Sequence, residues 1–134
     1  MRSELIFALL LAAGPALRAT VPEKGAEIDE PRYDPAAEIT ILANVTEVRE
    51  VPRASPLPGV HVSVKFGTQT FDVYLGPTAF LKQFEMRFAK GDEVRVTGAK
   101  VKTPNGPTVI LAREVRKDQA TLSFRRPRGE PNWE

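Results

Sequence analysis

The strongest constraint on the fold lies in residues 60–75. Val60, Val62, Val64 and Phe66 alternate there with His61, Ser63 and Lys65, and beyond Gly67-Thr68 Phe71, Val73 and Leu75 alternate with Thr70, Asp72 and Tyr74. Such alternation puts the apolar set on one face of an extended chain and the polar set on the other. Gly67 supplies the positive φ that a two-residue type II′ turn requires. With Phe66 opposite Gln69, Val64 faces Phe71, Val62 faces Val73 and Val60 faces Leu75, so both apolar sets share one side. The same register sets Lys65 beside Thr70, Ser63 beside Asp72 and His61 beside Tyr74. A slip of one residue would turn one strand inside out, so the pairing is strongly specified.

The segments around this hairpin complete a small closed β-barrel. Upstream, Ile39, Ile41, Ala43 and Val45 fall on one side of a first strand, which ends at a loop over residues 51–59 stiffened by Pro52, Pro56 and Pro58. Downstream, Pro77 suits a first helical position, and Phe80, Leu81 and Phe84 form the apolar stripe of a short helix that plugs the barrel. Gly91-Asp92 then turns into a strand with Val94 and Val96 inward. At Gly98 the apolar phase switches to Ala99 and Val101, which reads as a bulge. After a turn over residues 103–107, residues 108–115 form a nearly continuous apolar run, the mark of a central strand, and residues 120–125 alternate as an edge strand before a Pro/Arg/Gly tail ending near Trp133. The expected fold is all-β: a five-stranded barrel, one short helix between strands 3 and 4, and a C-terminal strand extension.

Residues 1–19 begin with a short charged start and an apolar run over residues 5–13, too short for the roughly 20 apolar residues that span a bilayer. They read as a signal peptide cleaved after Ala16 or Ala19. Residues 20–36 are rich in proline and acidic side chains, the composition of a disordered leader, and residues 37–134 form the barrel domain with its extension. Cysteine is absent, which excludes disulfides, a thiolate nucleophile and cysteine-based metal centres. A cysteine-free exported domain fits a bacterial periplasm. Charge is uneven: residues 20–50 hold three basic and eight acidic side chains, residues 51–134 fourteen and eight. The barrel is therefore the basic part of the chain.

Chemistry is sparse. His61 is the only histidine, so a histidine-rich metal site cannot form in one chain, and no cofactor is implied. Ser63, His61 and Asp72 are the residue types of a hydrolytic triad, yet they lie on strands without a nucleophile elbow, and no catalytic residue is assigned. The candidate ligand face is the polar side of the hairpin, His61, Ser63, Lys65, Thr70, Asp72 and Tyr74, rimmed by Arg53 in the proline loop and by Lys100 and Lys102. It offers one clear aromatic platform and places Asp72 at its centre. A protein or envelope component is thus the expected partner, with single-stranded nucleic acid or another polyanion as the alternative, because nucleic acid favours several stacking rings in a basic groove.

The strand, strand, helix, strand, strand order, with Val73-Tyr74-Leu75-Gly76-Pro77 before the helix and residues 90–98 after it, resembles the OB-fold. More narrowly, with Ala112-Arg113-Glu114-Val115 near its end, the chain is similar over residues 38–133 to small exported bacterial OB-fold proteins related to the magnetosome-associated MamS. That resemblance implies a binding scaffold and assigns no catalytic residue.

Overall fold

The computed structural model describes residues 31–103 and 106–134. The expected signal peptide and the leader up to residue 30 lie outside the described residues. Six strands form one sheet: β1 (Glu38–Val51), β2 (Gly59–Phe66), β3 (Gln69–Gly76), β4 (Glu93–Lys102), β5 (Thr108–Lys117) and β6 (Ala120–Ser123), with a single-turn helix α1 (Thr78–Leu81) between β3 and β4. The 14-residue β1 is long enough to serve two neighbours, pairing with β4 through Asn44 and with β2 from Asn44 onward. A parallel pairing of β3 with β5, from Asp72↔Val109 to Tyr74↔Leu111, closes the ring. The result is the OB-fold barrel, with β6 bonded to β5 outside the ring.

The hairpin register holds from His61↔Tyr74 to Phe66↔Gln69, and Gly67 has φ 63°. One pair differs. A bulge between Val60 and His61 sets Val60 opposite Gly76 rather than Leu75. Gly59 explains the crowding at this strand end, since a Cβ there would stand 2.9 Å from the Gly76 carbonyl carbon and from Pro77 Cα.

The helix is shorter than the apolar stripe suggests. Pro77 caps it from outside, and after Lys82 the bonds from Gln83 and Phe84 to Phe80 and Leu81 tighten to the i→i−3 pattern. Phe84 still packs on the core, with its ring 5.1 Å from Phe80 and 6.0 Å from Phe124.

The phase change at Gly98 is present, but the extra residue lies in the facing strand. Thr97 pairs with Glu114 and Gly98 with Ala112, which leaves Arg113 as the bulged residue. Gly98 is the smooth side of the bulge: a Cβ there would meet the Leu111 backbone. Arg113 uses its unpaired position to reach Glu38 with two bonds, Nε to Oε1 at 2.9 Å and Nη2 to Oε2 at 3.0 Å. The Arg113 hydrogen bond, helped by one from Tyr33, holds the Glu38 carboxyl below its usual range.

The main core fills the barrel with Ile41, Val62, Val64, Val73, Leu75, Val96, Ile110 and Phe124. A second, smaller core lies outside the ring, where Leu57, Tyr74, Val109 and Leu111 are buried under Tyr33 and Trp133. Within residues 31–36, which the composition placed in the leader, Tyr33 packs against this second core. Tyr33 donates to Glu38 Oε1 at 2.5 Å, and its own hydroxyl is pushed up to about 12, by burial first and then by the Glu38 carboxylate.

Candidate functional site

Strand alternation places His61, Ser63, Asp72 and Tyr74 on the outer face of β2 and β3, as the register required. Their exposure is another matter. The proline loop folds back across this face and buries Leu57. The Leu57 carbonyl accepts from His61 Nε2 at 2.7 Å, and the Pro58 carbonyl accepts from the Tyr74 hydroxyl at 2.9 Å. Trp133 lies edge-on to Tyr74, with ring centroids 6.3 Å apart. His61 and Tyr74, expected as outward ligand contacts, are therefore only 5% and 3% exposed. Neither ring is available as a stacking platform, which removes the aromatic feature on which nucleic-acid binding would rest.

Beside the covered rings runs a polar chain. Arg49 donates from Nη1 to Ser63 Oγ at 2.6 Å and from Nη2 to Asp72 Oδ1 at 2.9 Å, while His61 Nδ1 lies 3.1 Å from both Asp72 oxygens. Burial alone would raise the Asp72 carboxyl, but the hydrogen bonds and charges of His61 and Arg49 outweigh it and hold the group below its usual range. Both imidazole nitrogens thus face acceptors within the protein, and Ser63 accepts from Arg49. The residue types of a triad are present, yet the imidazole serves the Leu57 carbonyl and not the Ser63 hydroxyl. The histidine works as a clamp between the strand face and the loop.

Lys65 and Thr70 remain solvent-exposed on the outer face, and Ser63 is half-buried. The bulge carries Lys100 and Lys102 away from that face. Ala99 and Val101 turn outward toward the second core, and Lys100 Nζ sits 5.3 Å from the Phe71 ring centroid at an end of the barrel. Arg53 stands on a groove of about 790 Å³ between the proline loop and the start of α1, lined also by Glu50, Pro58, Thr78 and Trp133. A second recess of about 450 Å³ lies between Tyr33, Arg125, Arg128 and Trp133. There the buried Arg125 guanidinium lies 5.1 Å from the Trp133 ring and 5.6 Å from Tyr33 and donates to the Gly129 carbonyl at 2.9 Å.

Arg49, Leu57, Tyr33, Arg125 and Trp133 were not read from the sequence as parts of this surface. The first sits past the end of the apolar alternation in β1, Arg125 closes the segment read as an edge strand, and Leu57, Tyr33 and Trp133 belong to segments without strand period. The one available signal was the pair of large aromatics, Tyr33 and Trp133, in otherwise polar flanking segments. Among the described residues no group of three or more His, Asp or Glu side chains is placed to hold a metal ion, and no helix is long and apolar enough to cross a membrane.

Comparison with curated proteins and with solved structures finds no match. A family model described as the MamS/MamX magnetosome protein family matches residues 39–122. The match runs from the first core residue of β1 to Leu122 in β6 and so takes in the whole closed ring. By this span, well over half of its length, the chain belongs to the MamS/MamX magnetosome protein family.

Proposed function

We propose that this chain is an exported, non-enzymatic accessory module of the magnetosome that recognises a protein or envelope component. Family membership supports the accessory role, and the apolar run over residues 5–13 supports export. The observation that carries the binding reading is the roofed outer face. The proline loop and Trp133 cover His61 and Tyr74 and leave a groove of about 790 Å³, with Arg53 and Glu50 at one wall and Thr78 at the other. A concave site with an aromatic wall and a few polar groups is the usual form of a recognition surface. Ser63, Lys65 and Thr70 lie further along the same outer strand face, while the half-buried Asp72 and the buried His61 and Tyr74 hold its shape rather than touch the ligand.

Site-specific photocrosslinking in the native envelope tests this reading. A crosslinker at position 53, 63 or 70 is expected to give one discrete adduct, and at position 82 or 116, on other surfaces, none. Equal yields at all five positions, or adducts only at 82 and 116, would refute it.

A further inference from the structure

The polar chain beneath the proline loop sets a condition on the protons of His61. Its Nε2 lies 2.7 Å from the Leu57 carbonyl and its Nδ1 lies 3.1 Å from both Asp72 oxygens. The carbonyl can only accept, and so can Asp72, which is ionised from mildly acidic pH upward because its carboxyl lies below the usual range. A neutral imidazole carries one N–H and one lone pair, whereas the imidazolium carries two N–H groups. Both contacts are therefore hydrogen bonds only when the ring is doubly protonated. In the neutral ring a lone pair would face either the Leu57 carbonyl or the Asp72 carboxylate, at a place where His61 is 5% exposed and solvent gives little relief.

The elements around the ring differ in what they bring to it. From β1 comes Arg49, the cross-strand partner of His61, whose guanidinium is turned to Ser63, Asp72 and Glu47. From β3 come Asp72 and Tyr74, and the Tyr74 hydroxyl donates to Pro58. β5 adds the apolar Val109 and Leu111 to the same small core, and the C-terminal segment adds Trp133, on whose ring the Arg125 guanidinium lies. The loop presents the Leu57 and Pro58 carbonyls, with Arg53 on the groove and Glu50 beside it. Arg49 disfavours a second positive charge at His61, and the Asp72 carboxylate bonded to both favours it.

We propose that His61 is a proton-operated latch on the proline loop: the imidazolium ties the Leu57 carbonyl to Asp72, and loss of its second proton frees the loop. The neutral ring keeps its remaining N–H on the charged acceptor, Asp72, and gives up the Leu57 carbonyl. The latch is thus closed at mildly acidic pH and opens as pH rises through the range in which imidazole titrates, about pH 5–8. A buried acceptor left without its donor shifts a population about tenfold, which is the expected gain of the open loop. The Pro58 bond to Tyr74 and the buried Leu57 side chain involve no proton of His61, so the loop loosens while the barrel stays folded. Pro52, Arg53 and Pro58 line the groove of about 790 Å³, so the latch also sets the shape of that groove. This last consequence rests on the recognition reading above, whereas the latch itself does not.

Two single-site readouts test the latch, because the chain has one histidine and no cysteine. Long-range nitrogen NMR of the untagged full chain counts the N–H groups of the ring, and a nitroxide on Ala54→Cys reports the mobility of the loop. Expected are two N–H groups with an ordered loop at mildly acidic pH, and a mobile population about tenfold larger once the ring has lost a proton. In Asp72→Asn the side-chain amide can donate to Nδ1, so a neutral ring keeps its Nε2–H on Leu57 and the loop should stay ordered at every pH. Tyr74→Phe removes the bond to Pro58 but no titrating group, and should loosen the loop throughout while keeping the pH step. A ring that is neutral while the loop is ordered, a loop unchanged when the ring deprotonates, or a step that survives in Asp72→Asn overturns the proposal. Photocrosslinking at position 53 on both sides of the step separates the two readings. A pH step in the nitroxide signal with no adduct at either pH would sustain the latch and refute recognition at the groove.

Discussion

Replacing Gly98 by alanine tests a very close backbone approach between two neighbouring strands of the barrel. Gly98 lies in the middle of β4, opposite the strand that carries the Arg113 bulge, and its φ is not in the left-handed region. Its requirement for glycine is therefore one of space alone. An added Cβ would stand 2.9 Å from both the Leu111 carbonyl carbon and Ile110 Cγ2, and nearer still to the Leu111 carbonyl oxygen. Backbone atoms cannot rotate away, so β4 and β5 must separate by something like an ångström at the point where both pack on the core. Forcing atoms into a closed core costs about 1–3 kcal/mol, and a clash with backbone belongs at or above the upper end, at about 3 kcal/mol. For a domain of this size that lowers the melting temperature by about 12–24 °C, at about 4–8 °C per kcal/mol. Gly67→Ala is the contrast: its φ is 63° but nothing lies within 4 Å of the new Cβ, so it costs only the left-handed conformation, about 1–2 kcal/mol. Urea unfolding and calorimetry of both variants compare the two costs. A Gly98→Ala protein within about 1 kcal/mol of the parent, or no less stable than Gly67→Ala, would show that the strands are not held this close.

Two further outcomes concern the covered face. His61→Ala leaves the Leu57 carbonyl without its donor and deprives Asp72 of a partner, so it should lower stability by about 2–3 kcal/mol and speed tryptic cleavage after Arg53; unchanged cleavage would mean that the loop is held by Leu57 packing alone. Asp72→Asn should flatten the acid limb of the stability curve. Because the folded Asp72 carboxyl is depressed, its contribution is present above the unfolded pKa of about 3.9 and is lost as pH falls through the lower folded value, which makes a melting series between pH 5 and 2 the measurement and equal slopes in the two proteins the refuting result.

The barrel was legible because its information is local. Alternation at Val62, Val64, Phe71 and Val73 sets both faces of the hairpin, and the shift from Val96 to Ala99 announces the phase change at Gly98. The Val60 bulge and the side of the β4–β5 ladder that takes the extra residue were not legible, because both are settled by backbone packing against the opposite strand. The same limit explains the misreading of His61 and Tyr74. Period-2 patterning reports only whether a residue faces the inside or the outside of its own sheet. What covers the outside comes from Leu57 in a loop, Tyr33 before β1 and Trp133 near the end of the sequence, segments whose docking has no periodic signature. The aromatic content of those flanks was the only hint.

The parallel seam between β3 and β5 has a consequence for how the barrel comes into being. The hairpin partners His61 and Tyr74 are 13 residues apart, whereas Asp72 must find Val109, 37 residues later, and only three residue pairs secure that edge. Loop-closure entropy grows with the intervening length, and pairings between distant strands form late. The hairpin can assemble as soon as it exists, but the ring cannot be completed before β5 arrives. Tyr74, which sits on the seam and beneath the loop at once, acquires its neighbours in two stages: His61 early, then Leu111 and Trp133 at closure. The outer surface is thus the last part of the molecule to take its final shape.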